Sequence, residues 1–153
     1  MSVRISKVAL REYYNDVLNK ARVIAYINEA SKLKSNIKKP QMLKDYTPVM
    51  RYQSTLSGSR KIAGTCRGVD DIRIADWILV DASEAKTTVR HEIAHALKNY
   101  KYGMNGRPHG KEFIEALKVV SPNNWRKDRH YRETPEIVKA RIVSFNNNKI
   151  SLT

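Results

Sequence analysis

The sequence predicts an α+β domain, and three observations lead to this fold class. A long segment near the N-terminus has the apolar spacing of a helix, three short β-prone segments follow it, and a second helical pattern carries two histidines. The chain has 153 residues, which suits one domain and is enough to bury a core. We therefore expect residues 1–153 to form a single domain.

The first predicted element is a long helix over residues 10–30. Its apolar residues recur at the three-to-four spacing of one buried face, and they are Leu10, Tyr13, Tyr14, Val17, Leu18, Ala21, Ile24 and Ala25. A lysine-rich connection follows, in which Pro40 breaks the helical pattern. We expect this connection to be exposed and to separate the helix from a small sheet.

Three strands are predicted next, and together they would make the small sheet. Residues 47–68 hold two β-prone pieces around a turn at residues 57–59, which predicts a hairpin. A third strand fits residues 72–80, with Ile72 and Ile74 facing the core.

The second predicted helix covers residues 84–100, and Ser83 is able to cap its first turn. Apolar side chains follow one face at steps of four, four and three residues, namely Val89, Ile93, Leu97 and Tyr100. After a glycine-containing loop, helical spacing resumes over residues 110–120. The segment 134–153 fits a helix that begins near Pro135 and equally fits a hairpin, and the pattern does not decide between them.

The second predicted helix carries the motif HEIAH at residues 91–95. On a helix, His91 and His95 project side by side one turn apart, so their imidazoles are able to share one metal ion. Glu92 is rotated by about 100° from His91 and is placed to reach a water held by the metal. This arrangement indicates a catalytic Zn²⁺ site with Glu92 as general base in amide hydrolysis, although three polar residues on a solvated face would give the same letters.

A catalytic zinc ion takes three protein ligands, so the motif needs one more. We choose His109, because it follows His95 across a glycine-containing turn that is able to reverse the chain. Glu112 and Glu115, on the next predicted helix, remain alternatives for the third ligand. His130 lies among arginines and a tyrosine, where a surface or phosphate-facing role is favoured over metal binding.

The net charge of +14 predicts a salt-sensitive attraction to polyanions such as DNA, unless the charge serves solubility alone. Two stretches supply candidate nucleic-acid contacts. One is a lysine cluster that includes Lys38 and Lys39, and the other interleaves cations with aromatic side chains and includes Trp125, Arg126, Lys127 and Arg129. In the alternative interpretation of the second stretch, Trp125 anchors the core and the arginines stay in water.

Cysteine count and hydropathy exclude several classes. One cysteine, Cys66, cannot form an intramolecular disulfide or a multi-cysteine zinc module, and it suits a reducing compartment. The apolar runs are far shorter than the roughly 20 residues that span a bilayer, and the N-terminus has no secretory pattern. We expect a protein that is neither secreted nor membrane-bound, in the cytoplasm or associated with a nucleoid or nucleus.

Three sequence stretches, "IRIADWIL", "TTVRHEIAHAL" and "HGKEF", occur in an order that resembles the SprT-like (Spartan-related) zinc metalloprotease domain family, and the preceding "SRKIAGTCR" is also similar. The resemblance covers about residues 46–120. It implies a compact zincin-like fold with one Zn²⁺ on His91, His95 and His109, Glu92 as general base, and DNA-dependent cleavage of a protein or peptide substrate.

The chain departs from the family pattern in having one cysteine, because many SprT-like proteins carry a four-cysteine zinc ribbon. We expect residues 121–153 to be a basic C-terminal extension without that ribbon. The leading hypothesis is a zinc protease that acts on DNA-bound proteins. A zinc peptidase indifferent to DNA is one alternative, and a non-enzymatic DNA-binding protein with a relic or structural zinc site is another.

Overall fold

A computed structural model describes residues 3–32, 47–54, 63–129 and 134–153, with backbone alone for residues 25–32. In chain order its elements are α1 Lys7–Lys32, β1 Val49–Gln53, β2 Gly64–Arg67, β3 Asp71–Ala75, a 3₁₀ helix Asp76–Val80, α2 Ala82–Tyr102, α3 Lys111–Val120, α4 Trp125–Arg129, α5 Pro135–Asn147 and α6 Lys149–Leu152. Several helices and a three-stranded sheet confirm the predicted α+β class. Within the described part of the chain, no helix has the length and hydropathy needed to cross a bilayer.

Helix α1 begins three residues before the predicted start, because the Ser6 hydroxyl accepts a hydrogen bond from the Ala9 backbone N–H and so caps the first turn. Four of the predicted core residues are buried, namely Leu10, Tyr14, Leu18 and Ala21. The prediction for Ile24 is wrong, since its side chain is 40% exposed. The buried face of α1 ends at Ala21, one turn earlier, and the Ala25 side chain lies outside the described residues.

The predicted hairpin of the first two strands is wrong, because β3 lies between them. β1 pairs with β3 in parallel and places Met50 opposite Ile72, whereas β2 pairs antiparallel and places Cys66 opposite the same residue. Ile72 and Ile74 are fully buried, so the most apolar strand takes the centre and the two less buried strands take the edges. The predicted turn at residues 57–59 lies outside the described part.

The third strand is shorter than predicted, since the chain leaves the sheet after Ala75 and enters the 3₁₀ helix. An alternating strand with one face toward water would expose every second residue, but this segment buries four apolar residues in succession, Trp77, Ile78, Leu79 and Val80. The Ile5 N–H donates to the Leu79 carbonyl at 2.9 Å on one side, and α5 packs on the same segment. Burial on several sides therefore decides against a longer strand.

The C-terminal segment is helical, so the hairpin alternative is wrong. Thr134 accepts a hydrogen bond from the Ile137 N–H at 3.3 Å, and Pro135 opens the first turn, which together fit a capped helix start. Three side chains of this segment join the hydrophobic core formed by the sheet and α2, namely Val138, Phe145 and Leu152. Residues 134–153 thus complete the core, which the expectation of a basic extension did not include.

Helix α2 is the central element, and it contacts α1, α3, α4, the 3₁₀ helix and strands β2 and β3. Asp81 caps it by accepting a hydrogen bond from the Glu84 N–H at 3.3 Å, so the cap is Asp81 and not Ser83. The predicted inner face is buried at Val89, Ile93 and Leu97.

Strand β2 approaches α2 closely at Gly64. A Cβ atom at this position would lie 2.7 Å from Thr88 Cγ2, 3.1 Å from Glu92 Cγ and 3.3 Å from Ile74 Cδ1. These distances leave no room for a methyl group between the strand and the helix.

We expect Gly64→Ala to lower the free energy of unfolding by about 1–3 kcal/mol, because the added methyl overpacks the interface between β2 and α2. Urea denaturation measures the change. The double variant Gly64→Ala, Thr88→Ser removes the clashing Cγ2 atom and keeps the hydroxyl, and it should recover part of the loss. A Gly64→Ala protein as stable as the wild type would contradict this packing.

We expect Phe145→Ala to lower the free energy of unfolding by about 3–5 kcal/mol, because Phe145 fills the common core. Val143→Ala, on the same helix at a 61% exposed position, is the matched control and should change stability by less than about 0.5 kcal/mol. Equal stabilities of the two variants would show that the segment 134–153 is not part of the core.

Candidate metal centre

Three histidines meet at one point of the structure. His91 and His95 lie one turn apart on α2, and His109 lies in the loop that leads to α3. The Nε2 atoms of the three rings are 3.1 Å from one another in all three pairs. Among the residues that the structure describes, these three form the group of potential ligands close enough to hold one metal ion.

The spacing of the three nitrogens fits a small metal ion. A tetrahedral zinc ion with Zn–N bonds of about 2.0–2.1 Å separates its ligand atoms by about 3.3–3.4 Å, close to the 3.1 Å found here. Burial, followed by the charges of His91, His109 and Lys98, lowers the pKa of His95 to about 3, so this ring is neutral near pH 7. Imidazole nitrogens whose lone pairs converge repel one another unless a proton or a cation lies between them.

The His91 ring is oriented by the main chain of α4. Its Nδ1 atom lies 2.7 Å from the Asp128 carbonyl oxygen, which can only accept a hydrogen bond. The proton of a neutral His91 is therefore assigned to Nδ1, and Nε2 presents a lone pair to the other two histidines.

The loop that carries His109 is fastened to the end of α2. The Lys98 ammonium group is buried and donates hydrogen bonds to the carbonyls of Gly103 at 2.9 Å and Asn105 at 2.8 Å. Gly103 and Gly106 have φ angles of 89° and 95°, in the left-handed region that residues with a Cβ rarely adopt. These contacts and turns bring the chain back so that His109 faces His91 and His95.

Phe113, in the first turn of α3, packs against all three imidazole rings. Its fully buried ring has its centroid 4.3 Å from that of His95 and 5.0 Å from those of His91 and His109. The packing of one aromatic side chain against three rings restricts their rotation.

Glu92 lies beside the three histidines and is buried, with 3% of its surface exposed. Its Oε2 atom has no hydrogen-bond partner among the described residues. Burial raises the pKa of Glu92 to about 8 in the chain alone. A buried carboxyl oxygen without a protein partner fits a group that serves a cation or a bound water.

The two glutamates considered as alternative third ligands lie outside the histidine group. Glu115 accepts a hydrogen bond from the Tyr102 hydroxyl at 2.8 Å, which gives its carboxylate a different partner. His130 lies outside the described residues.

The predicted nucleic-acid contacts differ in their surroundings. Lys38 and Lys39 lie outside the described residues. Trp125 is half-buried and packs against the core, with Lys118 Nζ 4.7 Å and Arg126 Cζ 4.6 Å from its ring centroid. Arg126 and Lys127 are exposed on α4, whereas Arg129 is half-buried. A role of these residues in binding DNA stays a prediction.

Sequence reasoning missed several residues that build the centre, namely Gly64, Arg90, Lys98, Phe113 as a support for the rings, and Asp128. The apolar periodicity of the sequence does not indicate these roles, because each depends on a contact with a residue in another element or loop. One signal was available, since Asp128 is the single acidic residue in the basic stretch 125–132.

The comparisons with known proteins identify the family. A model of the SprT-like family matches residues 31–134, which is more than half of the chain. Searches of curated proteins and of solved structures returned no match. The matched range contains the three histidines, Glu92, the sheet and Asp128. The chain therefore belongs to the SprT-like family.

Proposed function

We propose that this chain is a zinc-dependent metalloprotease with a zincin-like catalytic site, and that it cleaves proteins associated with DNA. The observation that carries the proposal is the convergence of three imidazole nitrogens, 3.1 Å apart, beside the buried carboxyl of Glu92. Membership of the SprT-like family supports the same reaction class.

In this proposal His91, His95 and His109 hold Zn²⁺ through their Nε2 atoms. A bound zinc ion supplies a Lewis acid that activates water and polarises a peptide carbonyl. With a cation on the three histidines, the nearby positive charge would lower the pKa of Glu92 and favour its carboxylate form. The carboxylate then accepts a proton at Oε2, which has no protein partner among the described residues, and returns it to the leaving amine. Phe113 and the Asp128 carbonyl keep the histidine rings in place while the proton moves.

A catalytic site agrees with the donor set better than a structural one. Structural zinc sites are closed by four protein ligands, whereas catalytic sites have three and leave one position open. In the described ranges, the group of potential ligands contains three histidines and no fourth residue. A structural site would also have no use for a buried glutamate with an unpaired oxygen.

Association with DNA is supported by charge and by the position of α4. The chain carries a net charge of +14, and a basic surface attracts nucleic acid by neutralising phosphates. Arg126 and Lys127 are exposed on the same helical turn whose Asp128 carbonyl lies 2.7 Å from His91 Nδ1. DNA held by these cations would lie near the catalytic centre, where a protein bound to it would be cut.

We expect Glu92→Gln to retain about one zinc ion per chain, because the three histidines are unchanged, and to lower cleavage by about 100-fold or more. Zinc is measured by mass spectrometry of the purified protein, and cleavage is followed on gels with a protein bound to single-stranded DNA. The double variant His91→Ala, His95→Ala is the control for the metal site and should lose the zinc. Full zinc content in that control would overturn the assigned ligands.

We expect the double variant Arg126→Gln, Lys127→Gln to bind DNA more weakly, because two phosphate contacts are lost. The slope of log K against log salt should fall by about 1.4–1.8, since each contact contributes about 0.7–0.9. Fluorescence anisotropy with labelled DNA at several salt concentrations measures the slope.

Lys139→Gln, Lys149→Gln is the matched control, because it removes the same charge from exposed positions on α5 and α6. An equal loss of DNA affinity in both double variants would show that the charge acts without a defined surface. Cleavage that does not respond to added DNA would favour a zinc peptidase indifferent to DNA. DNA binding without cleavage of any substrate would favour the non-enzymatic alternative.

A further inference from the structure

Asp128 is the most buried charged residue of the described chain, although it lies in a basic turn. Its Oδ2 atom accepts hydrogen bonds from Arg90 Nε at 2.6 Å and from the Ser121 hydroxyl at 2.7 Å, and its Oδ1 atom accepts from Arg90 NH2 at 3.1 Å. Two parallel bonds of this kind fix both the distance and the plane of an arginine and a carboxylate. The pair therefore locks α4 onto α2.

Arg90 is also held from its other sides. Its NH1 group donates to the Tyr13 hydroxyl of α1 at 2.8 Å, and its NH2 group donates to Thr87 Oγ1 at 3.2 Å. The guanidinium group is thus fixed by three elements, α1, α2 and α4. A cation held this firmly gives Asp128 a rigid partner.

The same residue of α4 holds two neighbouring residues of α2 in two ways. The Asp128 side chain binds Arg90, and the Asp128 backbone carbonyl accepts the Nδ1–H of His91 at 2.7 Å. Helix α4 has five residues, and so short a helix cannot fix the position of its own carbonyl groups. The ion pair with Arg90, the residue before His91, fixes α4 and with it the position of the Asp128 carbonyl group.

A stabilising role alone does not explain the pair. Desolvation of the buried Asp128 and the partly buried Arg90 offsets most of their attraction, and well-packed apolar residues often stabilise a fold equally well. What apolar residues cannot supply is a carbonyl held at a set distance and angle from a histidine. Hydrogen bonds to the second nitrogen of a metal-binding histidine set its tautomer and orientation, and their loss weakens metal binding.

From this geometry we infer that the Arg90–Asp128 pair positions His91 for metal binding, with Asp128 as the positioning residue. The inference rests on the proposed function, because it takes His91 as a zinc ligand. Asp128 touches neither the metal position nor a reacting atom, and it acts through the His91 ring. The pair therefore sets zinc affinity in addition to fold stability.

The test uses the full chain with Asp128→Asn, which keeps the size of the side chain and removes its charge and one acceptor oxygen. Zinc affinity is measured by competition with a chelator, and the Co²⁺-substituted protein is examined by visible absorption. We expect affinity to fall by about 10–100-fold and the cobalt bands to shift, because the His91 ring is no longer held in one orientation. The rise in melting temperature on zinc addition should shrink accordingly.

Asp81→Asn is the matched control. It makes the same change in a half-buried ion pair, that of Asp81 with Arg141 at 3.1 Å, at the N-cap of the same helix and ten residues from His91. It should lower the melting temperature and leave zinc affinity and the cobalt spectrum as in the wild type. Equal losses of zinc affinity in the two variants would overturn the inference in favour of a general effect of stability.

A second variant covers failure of Asp128→Asn to fold. Arg90→Lys keeps the positive charge but cannot form two parallel bonds, so zinc affinity should fall by an intermediate factor. Wild-type affinity and cobalt spectrum in either folded variant would overturn the inference and leave the proposed function intact. A wild-type protein that binds no zinc would overturn both.

Discussion

The contact of His109 with His91 and His95 is the constraint on which the rest of the structure depends. The helical period of α2 places His91 and His95 side by side. His109 reaches them only because the chain reverses in a loop, and its Nε2 atom lies 3.1 Å from each of theirs. This return requires α3 to pack against α2, with Phe113 under the rings. It also requires a loop that is fastened by the buried Lys98.

The centre concentrates polar groups in a place where burial is costly. A buried charge destabilises a fold unless it is paired and hydrogen-bonded. Lys98 and the pair of Arg90 and Asp128 meet this condition through hydrogen bonds to carbonyls, hydroxyls and each other. Glu92 Oε2 does not meet it, because this atom is buried without a partner among the described residues, where Thr65 Oγ1, Trp77 Nε1 and Arg129 Nε are the other buried atoms without one. Among these atoms, Glu92 Oε2 belongs to the carboxyl group beside the three histidines, and an unpaired carboxyl oxygen there is what a reactive site is expected to show.

The elements that pack around α2 enclose this polar centre. Strand β2 contacts the helix through Gly64, without an intervening side chain, beside Glu92. Helix α4 covers His91 from another side, and the same helical turn presents Arg126 and Lys127 outward. Helix α5 packs on the 3₁₀ helix and contributes Val138 and Phe145 to the core. Helix α2 thus contacts the core, carries two of the three histidines and packs against α4, on which Arg126 and Lys127 are exposed.

The sequence by itself determined the features that depend on neighbouring residues. The phase of α2, the side-by-side histidines and the buried face of α1 follow from local periodicity, and the choice of His109 followed from the turn and the family resemblance. The tertiary structure alone decided the strand order, the end of β3 at Ala75 and the helical form of residues 135–147, because these depend on which faces become buried. It also decided the roles of Asp128 and Lys98, since a backbone carbonyl carries no residue-specific signal and its distance to His91 exists only after α2 and α4 have packed.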